Sequence, residues 1–174
     1  IKRIYGSNPP YSDTASYWSM TLNDGAGYFA DTTQIGIFGG LFRQIATTDI
    51  DNDGDLDVTI ISQHAVAGDI YGFEGLLVFK NNGKGIFTKT DMYPADGYFD
   101  ISFPKFVCHA DFNNDSFTDI AIMANFAGTI LLNSAEGTFI NDSAHTRTFW
   151  GSEQISPFTC SDINGDGWID IVKS

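Results

Sequence analysis

Three short acidic segments contain the residue types and spacing that could bind a hard cation. They read "DIDNDGDLD" at 49–57, "DFNNDSFTD" at 111–119 and "DINGDGWID" at 162–170, and are called loops 1, 2 and 3. In each loop, positions 1, 3, 5 and 9 are Asp or Asn, and position 6 is Gly54, Ser116 or Gly167. The five carboxylates of loop 1 repel one another unless a counter-charge is present. Repetition of the pattern indicates that this crowding belongs to the architecture of the molecule.

Calcium fits the pattern, because it takes about 6–8 oxygen ligands and tolerates irregular geometry, whereas magnesium prefers a strict octahedron and keeps its waters. Glycine at position 6 permits a backbone conformation in which the carbonyl of position 7 can face the ion. We therefore expect about three calcium ions. The predicted side-chain and carbonyl ligands are Asp49, Asp51, Asp53, Asp55, Asp57, Asp111, Asn113, Asp115, Phe117, Asp119, Asp162, Asn164, Asp166, Trp168 and Asp170.

The simpler alternative is a set of solvated turns, since Asp, Asn and Gly dominate turns in any protein. Three copies at matched positions favour metal binding over this alternative. EF-hands are excluded, because their loop has 12 residues, closes with a bidentate Glu and is flanked by helices. Here the twelfth positions are Ile60, Ile122 and Lys173.

The segments around the loops are typical of short strands. "RQIATT", "KFVCHA" and "PFTCS" lead into the loops, and the apolar "VTII", "IAIM" and "IVKS" follow position 9 and predict buried strands. A second repeat, "NDGAGYF", "NNGKGIF" and "NSAEGTF", begins at Asn23, Asn81 and Asn133 and predicts β-hairpins. The loops recur 62 and 51 residues apart and the hairpins 58 and 52 residues apart. Such periods indicate propeller-type arrays, so we predict an all-β fold with about four strands per blade.

The combined pattern D-x-[DN]-x-D-G-x-x-D, apolar strand and N-x-G-x-G-x-F hairpin resembles the FG-GAP/VCBS repeat of integrin-alpha-like calcium-binding β-propellers. The resemblance extends from about residue 17 to residue 171. It implies β-propeller blades of antiparallel strands, with calcium bound by the side chains of positions 1, 3, 5 and 9 and the carbonyl of position 7. Two departures matter: Ser116 replaces the glycine of loop 2, and Asn113 and Asn164 replace carboxylates, which predicts weaker sites than loop 1.

We interpret residues 1–174 as a single β-propeller segment. It divides into a partial blade 1–31, blades 32–92 and 93–143, and a partial blade 144–174. The hairpin at Asn23 has no loop before it and loop 3 has no hairpin after it, so the two partial blades are complementary. Closure through a split blade would give three blades, below the usual range of about 4–8. We therefore expect part of a larger propeller or assembly with further blades, and Ile1 suggests a mature or trimmed start.

Composition restricts the classes of partner. The formal net charge is −13, and 11 of the 22 acidic residues lie in the three loops, so three divalent ions would bring the charge to −7. The excess of acidic over basic residues argues against nucleic acid as a partner, because nucleic-acid-binding proteins present basic patches. No apolar run approaches the roughly 20 residues of a membrane-spanning helix. Metalloprotease, nucleophile-elbow and phosphate-loop motifs are missing from the sequence.

The two cysteines lie at offset positions of equivalent strands. Cys108 is three residues before loop 2, and Cys160 is two residues before loop 3. In strands, this offset turns the two side chains to opposite faces. On that ground, buried thiols are favoured over a disulfide.

The predicted function is a calcium-stabilised extracellular binding or adhesion module that recognises protein or carbohydrate and is secreted or on the cell surface, because cytosolic calcium is too low to fill modest sites. The alternatives are a catalytic or accessory part of a secreted polysaccharide-acting enzyme, and a structural spacer. Catalysis is disfavoured, because the outstanding carboxylates are repeated whereas an active site needs to occur once. Ligand binding is assigned to the unrepeated segments 62–75, with His64, Tyr71, Phe73 and Glu74, and 91–104.

Overall fold

The computed structural model describes residues 15–39, 41–64, 73–92, 105–124, 127–134, 139, 146–151 and 156–173. Within these ranges every regular element is a β-strand. The strands are β1 (Ala15–Asn23), β2 (Phe29–Gly39), β3 (Leu41–Thr48), β4 (Asp57–His64), β5 (Phe73–Asn81), β6 (Phe87–Met92), β7 (Phe106–Ala110), β8 (Asp119–Met123), β9 (Ala127–Leu131), β10 (Thr146–Gly151), β11 (Phe158–Ser161) and β12 (Asp170–Lys173). In the part of the chain so described, no helix is long and apolar enough to span a membrane.

The strands form four small sheets in which sequence neighbours pair. Sheet I is β1–β2, sheet II is β3–β4–β5–β6, sheet III is β7–β8–β9–β10 and sheet IV is β11–β12. The chain divides into two compact units, one of residues 1–42 and 63–73, which holds sheet I, and one of residues 43–62 and 74–174. The second unit holds sheets III and IV and all but some strand ends of sheet II. This is the all-β, blade-type architecture predicted from the repeats.

The strands expected on either side of each loop are present. Loop 1 joins β3 to β4, loop 2 joins β7 to β8 and loop 3 joins β11 to β12. The first two hairpins join β1 to β2 and β5 to β6, and Asn133 and Phe139 of the third form an isolated antiparallel bridge. Two sheets run past the predicted blade boundaries: β2 continues to Gly39, and β10 at Thr146–Gly151 belongs to sheet III. The fourth strand of a blade carries no motif, so the sequence repeats could not locate its end.

The hydrophobic core of the second unit lies between sheets II and III. Its buried members are Ile50, Ile61, Leu76, Val78, Val107, Ile120, Ile122, Leu131 and Phe139. All five residues of β8 are buried. Because a strand covered on both faces has no solvent side, it reads as a continuous apolar run instead of alternating. The segment "IAIM" is therefore an interior strand between two neighbouring layers.

Polar side chains join sheet II to sheet III across this core. The Gln44 amide donates to the Val107 carbonyl oxygen (2.9 Å) and accepts from the Val107 N–H (2.8 Å), which satisfies both backbone groups of one residue of β7. Thr59 Oγ1 of β4 lies 3.1 Å from His109 Nε2 of β7. Burial lowers the pKa of His109 to about 4, so the imidazole is neutral at pH 7. These pairs keep the inter-sheet polar groups hydrogen-bonded where water is excluded.

Cys108 and Cys160 form a disulfide between sheets III and IV, which corrects the prediction of buried thiols. Their Cα atoms are 6.2 Å apart, within the usual range of about 4.4–6.8 Å. The expected orientation is present, because the one-residue offset turns the two cysteine side chains to opposite faces of their own sheets. Sheets III and IV are stacked neighbours, however, so opposite faces of successive sheets point toward each other. The one-residue offset therefore permits the Cys108–Cys160 disulfide that it was expected to disfavour.

The outer face of sheet IV is exposed, although "IVKS" predicted a buried strand. Val172 of β12 is 45% exposed, whereas the residues at its place in sheets II and III, Thr59 and Ala121, are fully buried. Ile163 of loop 3 is 63% exposed, and its counterpart Ile50 in loop 1 is 1% exposed. Sheets II and III are each covered by the next sheet along the chain. Among the described residues of the second unit, no sheet covers the corresponding face of sheet IV.

Removal of the disulfide should destabilise the second unit strongly. A bridge that spans 52 residues restricts the unfolded chain, and its loss typically costs about 2–5 kcal/mol. We expect the paired variant Cys108→Ser/Cys160→Ser to lose that amount in urea denaturation. Reductant should lower the wild-type midpoint to that of the variant and leave the variant unchanged. Two freely alkylated thiols in the native, unreduced protein would contradict the assignment.

Candidate metal centre

The three acidic loops share one backbone conformation. Positions 4 and 6 adopt positive φ in every loop, at Asn52 (61°), Gly54 (91°), Asn114 (59°), Ser116 (73°), Gly165 (78°) and Gly167 (87°). Asparagine tolerates this region because its short polar side chain can hydrogen-bond locally. Ser116 therefore keeps the fold of loop 2 at a conformational cost of about 1–2 kcal/mol relative to glycine. The substitution does not open or distort the turn.

The position-1 carboxylate organises each loop from within. Asp49 Oδ1 accepts from the Asp53 N–H (3.1 Å) and its Oδ2 from the Gly54 N–H (3.0 Å). Asp111 repeats these bonds with Asp115 and Ser116, and Asp162 repeats them with Asp166 and Gly167. The backbone N–H of Gly167, with those of Gly165 and Asp166, holds the pKa of Asp162 below its ordinary value. Converging N–H groups thus offset part of the repulsion among the carboxylates.

The position-9 carboxylate ties the loop to the hairpin that follows it. Asp57 Oδ2 accepts from the Ile50 N–H (2.9 Å), and its Oδ1 accepts from the Asn81 N–H (2.8 Å), 24 residues further along the chain. Asp119 does the same with Phe112 and Asn133, at 2.8 Å each. Both carboxylates are fully buried. The two sequence repeats are therefore one structural unit, joined by a buried aspartate.

The hairpins are built by side-chain oxygens as well. Asn81 Oδ1 accepts from the Gly85 N–H, and Asn82 Oδ1 accepts from the N–H groups of Lys84 and Ile86. The hairpin tip also lies against loop 1, because a Cβ on Gly83, whose φ is +75°, would overlap the Asp55 carboxylate. Glycine at this place is therefore required by both its backbone conformation and the close approach of Asp55.

Position 3 distinguishes loop 1 from the other two loops. In loops 2 and 3, the side-chain amides of Asn113 and Asn164 donate to the position-5 carboxylates of Asp115 (2.8 Å) and Asp166 (3.0 Å). Loop 1 has Asp51 there, which cannot donate. Its Oδ2 lies 3.2 Å from Lys80 Nζ, and its Oδ1 is buried without a hydrogen-bond partner in the described structure. Loop 1 thus holds an extra negative charge and an unsatisfied acceptor.

Carboxylate oxygens of Asp49, Asp51 and Asp57 all lie within 4.8 Å of one another. That separation, together with the unsatisfied Asp51 oxygen, fits a cation between them. Asp53 also belongs to loop 1, as does Asp55, whose carbonyl was predicted as a ligand. In the described parts of loops 2 and 3, three carboxylates do not converge in this way, because Asn113 and Asn164 occupy position 3. The assignment of all fifteen residues to metal binding stays a prediction.

Sequence reasoning missed a contact that links successive loops. Asn52 Nδ2 at position 4 of loop 1 donates to the carbonyl of Ser116 at position 6 of loop 2 (3.0 Å). Asn114 Nδ2 of loop 2 donates in the same way to the Gly167 carbonyl of loop 3 (3.3 Å). Asparagine at position 4 of two loops was a usable signal, and Gly165 at that position of loop 3 has no side chain to continue the series.

The two segments assigned to ligand binding lie largely outside the described residues. Residues 65–72 of the first and 93–104 of the second lie outside the described residues, as do the side chains of His64, Phe73 and Glu74. The assignment of a ligand surface to 62–75 and 91–104 therefore stays a prediction.

The structure predicts that Asp119→Asn is more destabilising than Asp170→Asn. Asp119 is fully buried and accepts two backbone N–H groups, and an amide NH₂ facing one of them leaves a buried donor unsatisfied, at a cost of about 2–3 kcal/mol. Asp170 is only half-buried, and its one described N–H partner is Ile163 at 3.1 Å. We expect its loss to cost at most about 1 kcal/mol. Urea denaturation in chelator measures both, and equal losses would contradict the structural role of position 9.

Comparison with known proteins agrees with the fold. Residues 111–172, from the start of loop 2 through β8, β9 and β10 of sheet III and loop 3 into β12, match the family model of an FG-GAP-like repeat. No curated protein matches the chain. The segment that contains three of the four strands of sheet III and two of the acidic loops is thus similar to FG-GAP-like repeats, which are propeller-type, as the sequence motif predicted.

Proposed function

We propose that the protein is a calcium-stabilised, extracellular β-propeller-type binding module. The observation that carries the proposal is the convergence of Asp49, Asp51 and Asp57 within 4.8 Å, with a buried Asp51 oxygen that has no hydrogen-bond partner in the described structure. An isolated buried carboxylate oxygen is costly unless a cation or donor satisfies it. The match of residues 111–172 to an FG-GAP-like repeat supports a module of this class.

The electrostatics of the position-9 aspartates favour a cation. Burial raises the pKa of Asp57 above its ordinary value, and the charges of Asp51 and Asp53 raise it further, against the lowering by the N–H groups of Asn81 and Ile50. Burial raises the pKa of Asp119 in the same way. Without a cation, the ionised forms at pH 7 are therefore disfavoured relative to water. A divalent ion offsets this and lets loop and hairpin pack with their carboxylates charged.

In loop 1, the side chains of Asp49, Asp51, Asp53 and Asp57 and the carbonyl of Asp55 would hold the ion, which would supply positive charge and no reaction chemistry. Calcium suits an all-oxygen set whose backbone geometry is set by turns. The amide links from Asn113 to Asp115 and from Asn164 to Asp166 engage oxygens in loops 2 and 3. Those loops would bind calcium more weakly than loop 1.

Calcium sites of modest affinity are filled outside the cytosol, which supports a secreted or cell-surface location. The ligand would be an extracellular protein or glycan, bound by the unrepeated segments 62–75 and 91–104, where aromatic residues could stack on sugars or anchor a protein. The proposed role is recognition without catalysis. A polysaccharide-acting enzyme and a spacer remain the alternatives, and hydrolysis or eliminative cleavage of a polysaccharide that depends on those segments would favour the enzyme.

We also propose that a further blade covers the outer face of sheet IV. Val172 and Ile163 are exposed there, whereas their counterparts Thr59, Ala121 and Ile50 are buried under the following sheet. The same face of sheets II and III takes the next blade, so a blade of the same kind fits the face of sheet IV. The proposed partner is therefore a blade of the same repeat type, on this polypeptide or on another.

Calcium should raise the melting temperature of the protein. An ion that binds only the folded state at about 100 times its Kd stabilises by about 2.7 kcal/mol, which corresponds to roughly 5–10 °C for a chain of this size. Differential scanning calorimetry with calcium and with chelator measures the shift. Asp51→Ala should reduce it more than Asn113→Ala, because Asp51 is a charged ligand candidate. A melting curve indifferent to calcium and chelator would refute the calcium part of the proposal.

Val172→Glu tests the covered face. If another blade packs there, a charge at Val172 is buried without a partner, and we expect a loss of about 2 kcal/mol or more in the unfolding free energy. The matched control is Ile86→Glu at a hairpin tip, because Ile86 is 62% exposed and its counterpart Tyr28 is 72% exposed. The control should change stability by less than about 0.5 kcal/mol. Equal, small effects at both sites would show that the face stays in solvent.

A further inference from the structure

We propose that Lys80 is a built-in counter-charge of loop 1, which stabilises the loop without calcium and weakens its affinity for calcium. The inference rests on the proposed calcium function and concerns how that site is regulated. Its starting point is the ion pair between Lys80 Nζ and Asp51 Oδ2 at 3.2 Å. Lys80 is the residue of β5 immediately before Asn81, whose N–H donates to Asp57. The hairpin base thus brings an ammonium to the acidic loop.

The equivalent positions of the other repeats show what is particular to Lys80. Lys80 corresponds to Leu132 in sheet III and to Leu22 in sheet I, each the residue before the hairpin asparagine. Position 3 is a carboxylate only in loop 1, at Asp51, and is asparagine in loops 2 and 3. The position-3 carboxylate and the lysine therefore occur in the same repeat. In loop 2, the Asn113 amide donates to Asp115 and no lysine is needed.

The position of the pair favours an electrostatic role over a solvated surface contact. The side chains of Lys80 and Asp51 are 27% and 18% exposed, so both are mostly withdrawn from water. The other Asp51 oxygen is buried without a hydrogen-bond partner in the described structure. Lys80 compensates one oxygen of this carboxylate, which also belongs to the cluster with Asp49 and Asp57. A calcium ion there would bind against the repulsion of a tethered ammonium.

This arrangement sets the calcium concentration at which loop 1 fills. Without calcium, Lys80 offsets part of the repulsion among the five carboxylates of loop 1, so the loop stays folded. With calcium, the same charge opposes the ion. Removing the Lys80 charge should therefore tighten calcium binding and destabilise the calcium-free protein. If Lys80 served only to orient Asp51, its removal would weaken calcium binding instead.

The test uses Lys80→Met, which keeps the length of the side chain, with Lys80→Arg as the charge-preserving control. Calcium is titrated into the whole chain, and the backbone amides of Gly54 and Gly167 are followed by NMR as reporters of loops 1 and 3. We expect Lys80→Met to lower the midpoint at Gly54 by about fivefold to tenfold, from Coulomb repulsion discounted for salt screening. The midpoint at Gly167 should not change, and Lys80→Arg should match the wild type. An unchanged or higher midpoint at Gly54 in Lys80→Met would overturn the proposal.

A calcium-free experiment separates this inference from the calcium function. In chelator, urea midpoints are measured for the wild type, Lys80→Met, Asp51→Asn and the double variant. The Asp51→Asn substitution gives loop 1 the position-3 amide that loop 2 has. We expect Lys80→Met to lower the midpoint and Asp51→Asn to restore it in that background, with a smaller gain in the wild-type background. Additive effects would show that Lys80 does not compensate Asp51. If the Gly54 amide fails to respond to calcium in every variant, loop 1 does not bind calcium, and the proposed effect of Lys80 on calcium affinity fails with it. The urea midpoints in chelator report the Lys80–Asp51 ion pair separately from that result.

Discussion

The hydrogen bonds of the buried position-9 aspartate are the interaction on which the repeats of loops 1 and 2 depend. Asp57 and Asp119 lie at the first residue of β4 and β8, fully buried, and each accepts one N–H from its own loop and one from the hairpin asparagine that follows. A carboxylate withdrawn from water is stable only with such charge-assisted bonds. The two carboxylate oxygens of each aspartate therefore hold three parts of the repeat together. These parts are the acidic loop, the first residue of β4 or β8, and the hairpin turn that follows β5 or β9. Loss of the carboxylate would leave N–H groups unsatisfied in two elements at once.

Crowded acidic residues are tolerated in loops 2 and 3 because nearly every side-chain oxygen there faces a donor, and in loop 1 the carboxylates of positions 1 and 9 do the same. Position 1 accepts N–H groups from positions 5 and 6, position 5 accepts the N–H of position 7, and the asparagine at position 3 of loops 2 and 3 accepts the N–H of position 5. Loops 2 and 3 complete this set with an asparagine amide, and are therefore self-sufficient turns. Loop 1 replaces the amide with Asp51 and needs external positive charge. The structure thus shows loops 2 and 3 as hydrogen-bonded turns, and the metal interpretation stays a prediction for which loop 1 offers the most favourable residues.

Much of the fold was predictable from the sequence, because the repeats encode local structure. The period of the Asp/Asn/Gly loops and the Asn-Gly hairpins placed the flanking strands, and the apolar run "IAIM" correctly indicated an interior strand. The backbone of loop 2 was less predictable, since nothing in the sequence shows that Ser116 adopts the φ that Gly54 and Gly167 adopt. The ends of sheets I and III were not predictable, because β2 and β10 carry no motif. At the candidate site, the assignment of the loop residues to metal binding stays a prediction, and the lysine partner of Asp51 was not foreseen, since Lys80 lies 29 residues away in sequence.

The contacts between sheets were the least predictable feature, because successive interfaces use different chemistry on the same geometry. Between sheets II and III, the Gln44 amide binds the backbone of Val107, and Thr59 lies against a neutral His109. Between sheets III and IV, Ala121 takes the place of Thr59, and the Cys108–Cys160 disulfide joins the strands. Within the described residues, both interfaces share the asparagine contact from loop to loop. The repeated motif therefore determines the fold of each blade and the stacking of its loops, whereas unrepeated residues between the sheets determine which blade packs on which.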